Sequence, residues 1–141
     1  MTTLQRAAPA MSSPAASSIL VGADFAQGSR WRQGERLDHV FEQRCDWIQT
    51  YGRAEALAVD AGDVTLTFDQ LDAKANQLAR YLLAQGARPG DRIALLFDQA
   101  VHSYIGMLAV LKINAAYVPL DVGFPPDRVC YIVADAGVGR V

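Results

Sequence analysis

From Leu37 onward, apolar residues fall into long-period and short-period blocks that read as helices and strands. Leu37, Val40, Phe41, Arg44 (through its alkyl stem), Cys45 and Ile48 share one stripe. Asp38, Glu42, Gln43 and Asp46 fall on the water side, so a helix is predicted from Leu37 to about Tyr51-Gly52. Ala56–Asp60 and Val64–Thr67 are short β-prone runs flanking the turn residues Ala61-Gly62-Asp63, which predicts a hairpin. Thr67-Phe68-Asp69-Gln70 has the spacing of a capping box. Leu71, Ala75, Leu78, Ala79 and Leu82 follow at helical spacing, and Gly86 supplies the stop.

Pro89-Gly90-Asp91 reads as a turn, with Asp91 a turn residue. Arg92–Phe97 is an apolar run without alternation, as expected of a strand covered on both faces. Val101–Ile113 predicts a buried helix and Ala116–Leu120 a short buried strand. Pro125-Pro126-Asp127 opens a last helix with Val129, Ile132, Val133 and Ala136 on its inner face. The predicted fold is α/β: a short hairpin, then parallel βαβα units in an incomplete sheet. Leu71, Leu78, Leu82, Ile93, Leu95, Leu108, Leu111, Val118 and Ile132 are expected to meet in one core.

Residues 1–36 have a different character. Up to about Val21 the chain is rich in Ala, Ser, Pro and Thr without periodicity, and reads as a disordered leader. The approach from Ala23 to Glu35 carries isolated rings, Phe25 and Trp31, expected to dock on a neighbouring surface. The folded domain is expected to occupy 37–141.

Composition narrows the function. The 141 residues carry a net charge of −2, and the lysines and arginines do not cluster, which disfavours nucleic-acid binding. The N-terminus lacks the apolar core of a signal peptide. The most apolar stretch, Ile105–Leu120, is interrupted by Lys112, Asn114 and Pro119 and is shorter than the ~20 residues of a membrane span. A cytoplasmic chain without a membrane segment is expected. Cys45 and Cys130 are too far apart in sequence for a scaffold or metal motif and read as buried free thiols. His39 and His102 have no metal-ligand spacing and read as helix-surface or helix-start residues.

Two segments are more specific than their secondary structure demands. One is Leu66-Thr67-Phe68-Asp69-Gln70-Leu71, followed by Asn76-Gln77-Leu78-Ala79. The other runs from Leu111-Lys112-Ile113-Asn114 through Ala115-Ala116-Tyr117-Val118-Pro119-Leu120-Asp121 to Phe124-Pro125 and Arg128. With the connecting Gly86–Leu96, they resemble the first two core motifs of amino-acid adenylation domains of nonribosomal peptide synthetases. That family lies within the acyl-CoA synthetase and luciferase superfamily of adenylate-forming enzymes. The resemblance covers Leu37–Gly137 and implies the N-terminal subdomain of that fold.

Three departures stand out. Phe68 replaces the usual Tyr, and Ile113-Asn114 replaces Ala-Gly at a helix end, where Asn still suits a left-handed cap. After Gly137 the run Val138–Val141 does not continue into the expected apolar strand, which reads as a truncation, a shifted frame or an imposed end. Ala23–Asp46 also resembles the opening of single-module synthetases of the poly-lysine-synthetase type.

The resemblance implies ATP-dependent activation of an amino acid or other carboxylate to an acyl-adenylate. Transfer to the phosphopantetheine thiol of a downstream carrier domain would follow. It implies ATP and Mg²⁺ for the full-length parent and the rest of the adenylation domain as partner. No Ser/Thr/Gly-rich loop ending in Lys-Gly is present to cradle a triphosphate, so no catalytic, cofactor-binding or metal residue is nominated and the chain alone is expected to be inactive. Structural roles are expected instead: Thr67 as a cap, Lys112 complementing a helix C-terminus, and Tyr117 and Pro119 in packing. Asp121 is expected to pair with Arg128 or to cap a turn. The alternative is a non-enzymatic remnant or interaction fragment that self-associates through an exposed sheet edge.

Overall fold

The computed structural model describes residues 34–53 and 55–139. The expectations for the leader, for Phe25 and Trp31, for the end at Val141 and for residues 23–33 of the Ala23–Asp46 segment lie outside those residues.

The elements run α1 (Leu37–Thr50), β1 (Leu57–Asp60), β2 (Thr65–Thr67), α2 (Phe68–Ala84), β3 (Arg92–Leu96), α3 (Ala100–Lys112), β4 (Ala116–Leu120) and α4 (Pro126–Asp135). β1 and β2 form an antiparallel hairpin with a bulge between Leu57 and Val59. β3 and β4 pair in parallel from Arg92↔Ala116 to Leu96↔Leu120, with α3 as the crossover. The expected α/β plan is the observed one.

The capping box forms as the spacing requires. The Gln70 N–H donates to Thr67 Oγ1 at 3.2 Å, and the Thr67 N–H donates to Gln70 Oε1 at 3.0 Å. The helices α1 to α4 share one C-terminal device, in which the two residues past the cap donate back to carbonyls in the last turn. After α2, Gly86 bonds Leu83 and Ala87 bonds Leu82; after α3, Asn114 bonds Leu111 and Ala115 bonds Val110. α1 and α4 close in the same way through Gly52-Arg53 and Gly137-Val138. Asn114 adopts φ 58°, so the departure from glycine leaves the turn intact.

The core lies between the hairpin, α2, α3 and the start of β3. Leu66, Leu71, Ala75, Ala79, Ile93, Leu108, Ala109 and Val110 are buried in it. Small residues at 75, 79 and 109 let the helices approach closely. Gly106 does the same between α3 and β3, since a Cβ there would stand 2.8 Å from the Phe97 ring.

Several burial expectations need correction. Ile93 and Ala94 are buried on opposite faces of β3, but Leu96 is 41% exposed. In β4 only Leu120 is buried, so Tyr117 and Pro119 are not held by packing. α4 turns Val129, Ile132, Val133 and Ala136 to its half-covered side, yet none of its residues is buried. Leu71, Ile93 and Leu108 enter the core as expected, and Leu78, Leu82 and Leu95 pack on its margin. Leu111, Val118 and Ile132 remain half-buried outside it. Cys45 is buried but Cys130, on α4, is exposed. The pattern marks a face suited to burial; whether anything covers that face is a separate fact.

Candidate functional site

The first motif segment joins the hairpin to α2. Leu66 and Leu71 face the core, Thr67 caps the helix, and Phe68 stacks on Phe41 of α1 with ring centroids 5.6 Å apart. Asp69 accepts from Gln49 Nε2 at 3.2 Å. Each position therefore fixes the hairpin, α2 and α1 to one another.

The second segment begins in a charged cluster that sequence reasoning missed. The position of Lys112 in the chain suggests no more than a complement to the C-terminus of its helix. In the fold its side chain is 5% exposed and pairs with Glu42 of α1 and with Asp72 Oδ1 of α2 at 3.0 Å. Asp72 also accepts from Asn76 Nδ2 at 2.6 Å. Burial alone would lower the Lys112 pKa, but the hydrogen-bonded carboxylates of Glu42 and Asp72 outweigh it and hold the ammonium above its usual range.

Beside this cluster, Arg36 donates to both oxygens of Asp38 at 3.0 and 2.8 Å and to the Leu111 carbonyl at 2.7 Å. Asp38, expected on the water side, is 4% exposed because this guanidinium neutralises it. The only signal in sequence is that Arg36 and Asp38 flank the first helical residue.

Cys45 lies under the same helix, its Sγ 3.9 Å from the Phe68 carbonyl oxygen. Burial, followed by the negative charges of Asp72 and Asp69, pushes its thiol up to about 11. At neutral pH it is a protonated thiol and a poor nucleophile. Around it Glu42, Asp46, Asp69 and Asp72 line a cavity of about 310 Å³. Among the described residues, no group of three His, Cys, Asp or Glu could hold a metal ion. His39 and His102 are exposed, on α1 and in the first turn of α3.

Past β4, Asp121 caps a turn rather than pairing with Arg128. Its Oδ1 accepts from the Gly123 N–H at 2.8 Å, and Arg128 lies 4.5 Å over the Phe124 ring. Asp91 likewise accepts from the Arg88 N–H at 2.8 Å.

Open clefts lie at both ends of the parallel pair. At the carboxyl ends, where α/β sheets commonly bind ligands, Phe97, Asp98, Ser103, Asp121 and Phe124 help line a cavity of about 510 Å³. At the amino ends, Gly86, Arg88, Gly90, Arg92 and Gly137 help line one of about 460 Å³.

The family model for AMP-binding enzymes matches residues 41–141. The chain belongs to that family. Malpibaldin synthetase of Mortierella alpina is 45% identical over 103 residues, covering 73% of this chain and 2% of the synthetase. The nonribosomal peptide synthetase FmoA3 in its α-methyl-L-serine-AMP-bound form superposes with TM-score 0.67 at 28% identity, over 74% of this chain and 11% of that one. The N-terminal subdomain of Klebsiella oxytoca NpsA gives TM-score 0.67 at 22% identity, over 74% of this chain and 26% of that one, a likeness of fold. The chain thus spans a small fraction of the relatives it matches.

The nucleotide implied by the family can be tested against the described residues. The carboxyl-end cleft offers Asp98 and Asp121 and no lysine or arginine to neutralise a triphosphate. The amino-end cleft has Arg88 and Arg92, but it faces the C-termini of α2 and α4, the negative ends of their dipoles. Arg92 Nη1 already donates to the Ala136 carbonyl at 3.1 Å. Neither cleft fits ATP. Among the described residues, none of the helices is long and apolar enough to cross a membrane.

Proposed function

We propose that residues 37–141 supply the N-terminal α/β framework of an amino-acid adenylation domain. The full domain would use ATP and Mg²⁺ to activate an amino acid or related carboxylate as an acyl-adenylate. It would then pass the acyl group to a carrier thiol. In this reading Thr67, Phe68, Lys112 and Asp121 cap, stack and pair, and no motif residue of the chain performs a chemical step. The chain alone makes no acyl-adenylate, and its place of work is the cytoplasm.

The observation that carries the reading is the placement of the two motif segments. Thr67 caps α2, Phe68 stacks on α1, and Lys112 ties three helices together, while the clefts lack the cationic cradle a triphosphate requires.

Two measurements test it. Amino-acid-dependent pyrophosphate exchange by the purified chain is expected to equal the protein-free blank. A chimera carrying residues 34–141 in place of the matching segment of malpibaldin synthetase is expected to keep the exchange activity of the domain that receives it, with that domain's own amino acid. Exchange by the chain alone, or loss of exchange in a folded chimera, overturns the framework reading.

A further inference from the structure

α1 is attached differently from the other helices packed on the core. The core residues come from the hairpin, α2, α3, β3 and the adjoining turns, and α1 contributes only Phe41 at the margin. Cys45 and Ile48 are its buried apolar residues, while Leu37 and Trp47 on the helix and Tyr51 just past it are exposed. Polar contacts fasten the rest. Arg36 holds the Leu111 carbonyl of α3, Glu42 holds Lys112, and Gln49 holds Asp69. These bonds reach both ends and the middle of the helix. The segment that follows runs through Tyr51, Gly52 and Arg53, all exposed.

We propose that α1 is a strap that opens as a unit while the hairpin, α2 and α3 stay folded, and that the Lys112–Glu42–Asp72 cluster is its latch. The physical basis is the ratio of apolar to polar attachment. Releasing α1 uncovers Ile48, Cys45 and part of Phe41, but leaves the buried cluster around Leu71, Ala75 and Leu108 intact. Opening also returns Glu42 to water, where its side chain already is 47% exposed, so its desolvation is small. Lys112 and Asp72 remain paired to each other across α2 and α3. Sub-global opening of this kind is the ordinary behaviour of elements with few buried apolar contacts.

Cys45 reports on the strap because it is buried on the inner side of α1, with its Sγ against the Phe68 carbonyl at the start of α2. In a chain carrying Cys130→Ser, which removes the exposed thiol, Cys45 labelling by an aromatic disulfide at fixed pH is followed against urea beside far-UV circular dichroism. Labelling at low urea is expected to be at least about tenfold faster than global unfolding allows and nearly independent of urea. Glu42→Gln is expected to raise that rate about fivefold, and Asp63→Asn, an exposed carboxylate outside the cluster, is expected to leave it unchanged. Labelling that tracks the dichroism transition overturns the strap. An unchanged rate in Glu42→Gln overturns the latch, and Lys112→Met in the same background provides a second, stronger removal of it.

Discussion

α2 and α4 are both amphipathic helices with a correct start signal and the same C-terminal turn, yet they end in different circumstances. α2 buries Leu71, Ala75 and Ala79 against α3 and the hairpin. α4 carries an equally regular stripe, Val129, Ile132, Val133 and Ala136, and buries none of it. The stripes do not separate the two, although α2 is longer and carries a side-chain cap. The difference is what stands opposite: α2 faces a helix lined with small residues, whereas α4 lies beside an edge of a two-stranded sheet. Amphipathicity is a request for a partner, and this chain answers it in one place and only half answers it in the other.

The largest expected effect lies on the α2 side. Leu71→Ala should destabilise by about 2–5 kcal/mol, because α3 and the hairpin leave the site little room to collapse. Urea unfolding measures it, and a loss below about 0.5 kcal/mol would break the comparison at its firmer end. Thr67→Ala removes the cap of the same helix and should cost about 1 kcal/mol by the same assay. Ile132→Ala on α4 should cost less than about 1 kcal/mol; a loss in the Leu71 range would show that α4 is as firmly seated as α2.

A pH series sharpens the contrast from the α1 side. Cys45 keeps its proton in the fold to about pH 11 but loses it near the ordinary thiol value of 9.0 when unfolded. Its contribution to stability is therefore present below about pH 9 and lost as pH rises toward 11. Lys112, whose folded pKa is raised, also loses its contribution as pH rises through that folded value. The urea midpoint should fall across this window, and Cys45→Ala should make the fall shallower. The smallest expected effect is at the α3 turn. Asn114→Gly should change stability by no more than about 0.5 kcal/mol, since both residues accept a left-handed conformation and glycine has more freedom to lose.

Elements with local causes are legible in the sequence. The capping box at Thr67, the hairpin, the helix stops at Gly86 and Asn114, and the order of strands and helices all follow from residues a few positions apart. The two motif segments are legible as well, since they carry the resemblance to a family whose model matches residues 41–141. Illegible features depend on residues distant in sequence. Asp38 reads as a solvent residue until Arg36 is seen bridging it to the Leu111 carbonyl. Lys112 reads as a helix-end cation until Glu42 and Asp72 are seen to enclose it. The exposure of β4 and Cys130 is hidden for a related reason: apolar character is not burial, and coverage depends on neighbours that periodicity cannot name.

The Lys112 cluster also sets where this framework can be divided and recombined. Its charges come from three helices, and Glu42 and Lys112 are 70 positions apart. A junction placed in the loop after α1, the obvious surface site, would match a foreign α1 to Lys112 and Asp72 and lose the tie between α1 and α3 whenever the donor lacks an acid at the Glu42 position, leaving Lys112 paired with Asp72 alone. A junction ahead of Arg36 carries every partner across together. Segments exchanged among related synthetases should tolerate the second boundary and resist the first, so the arrangement of three side chains marks out a natural unit of exchange.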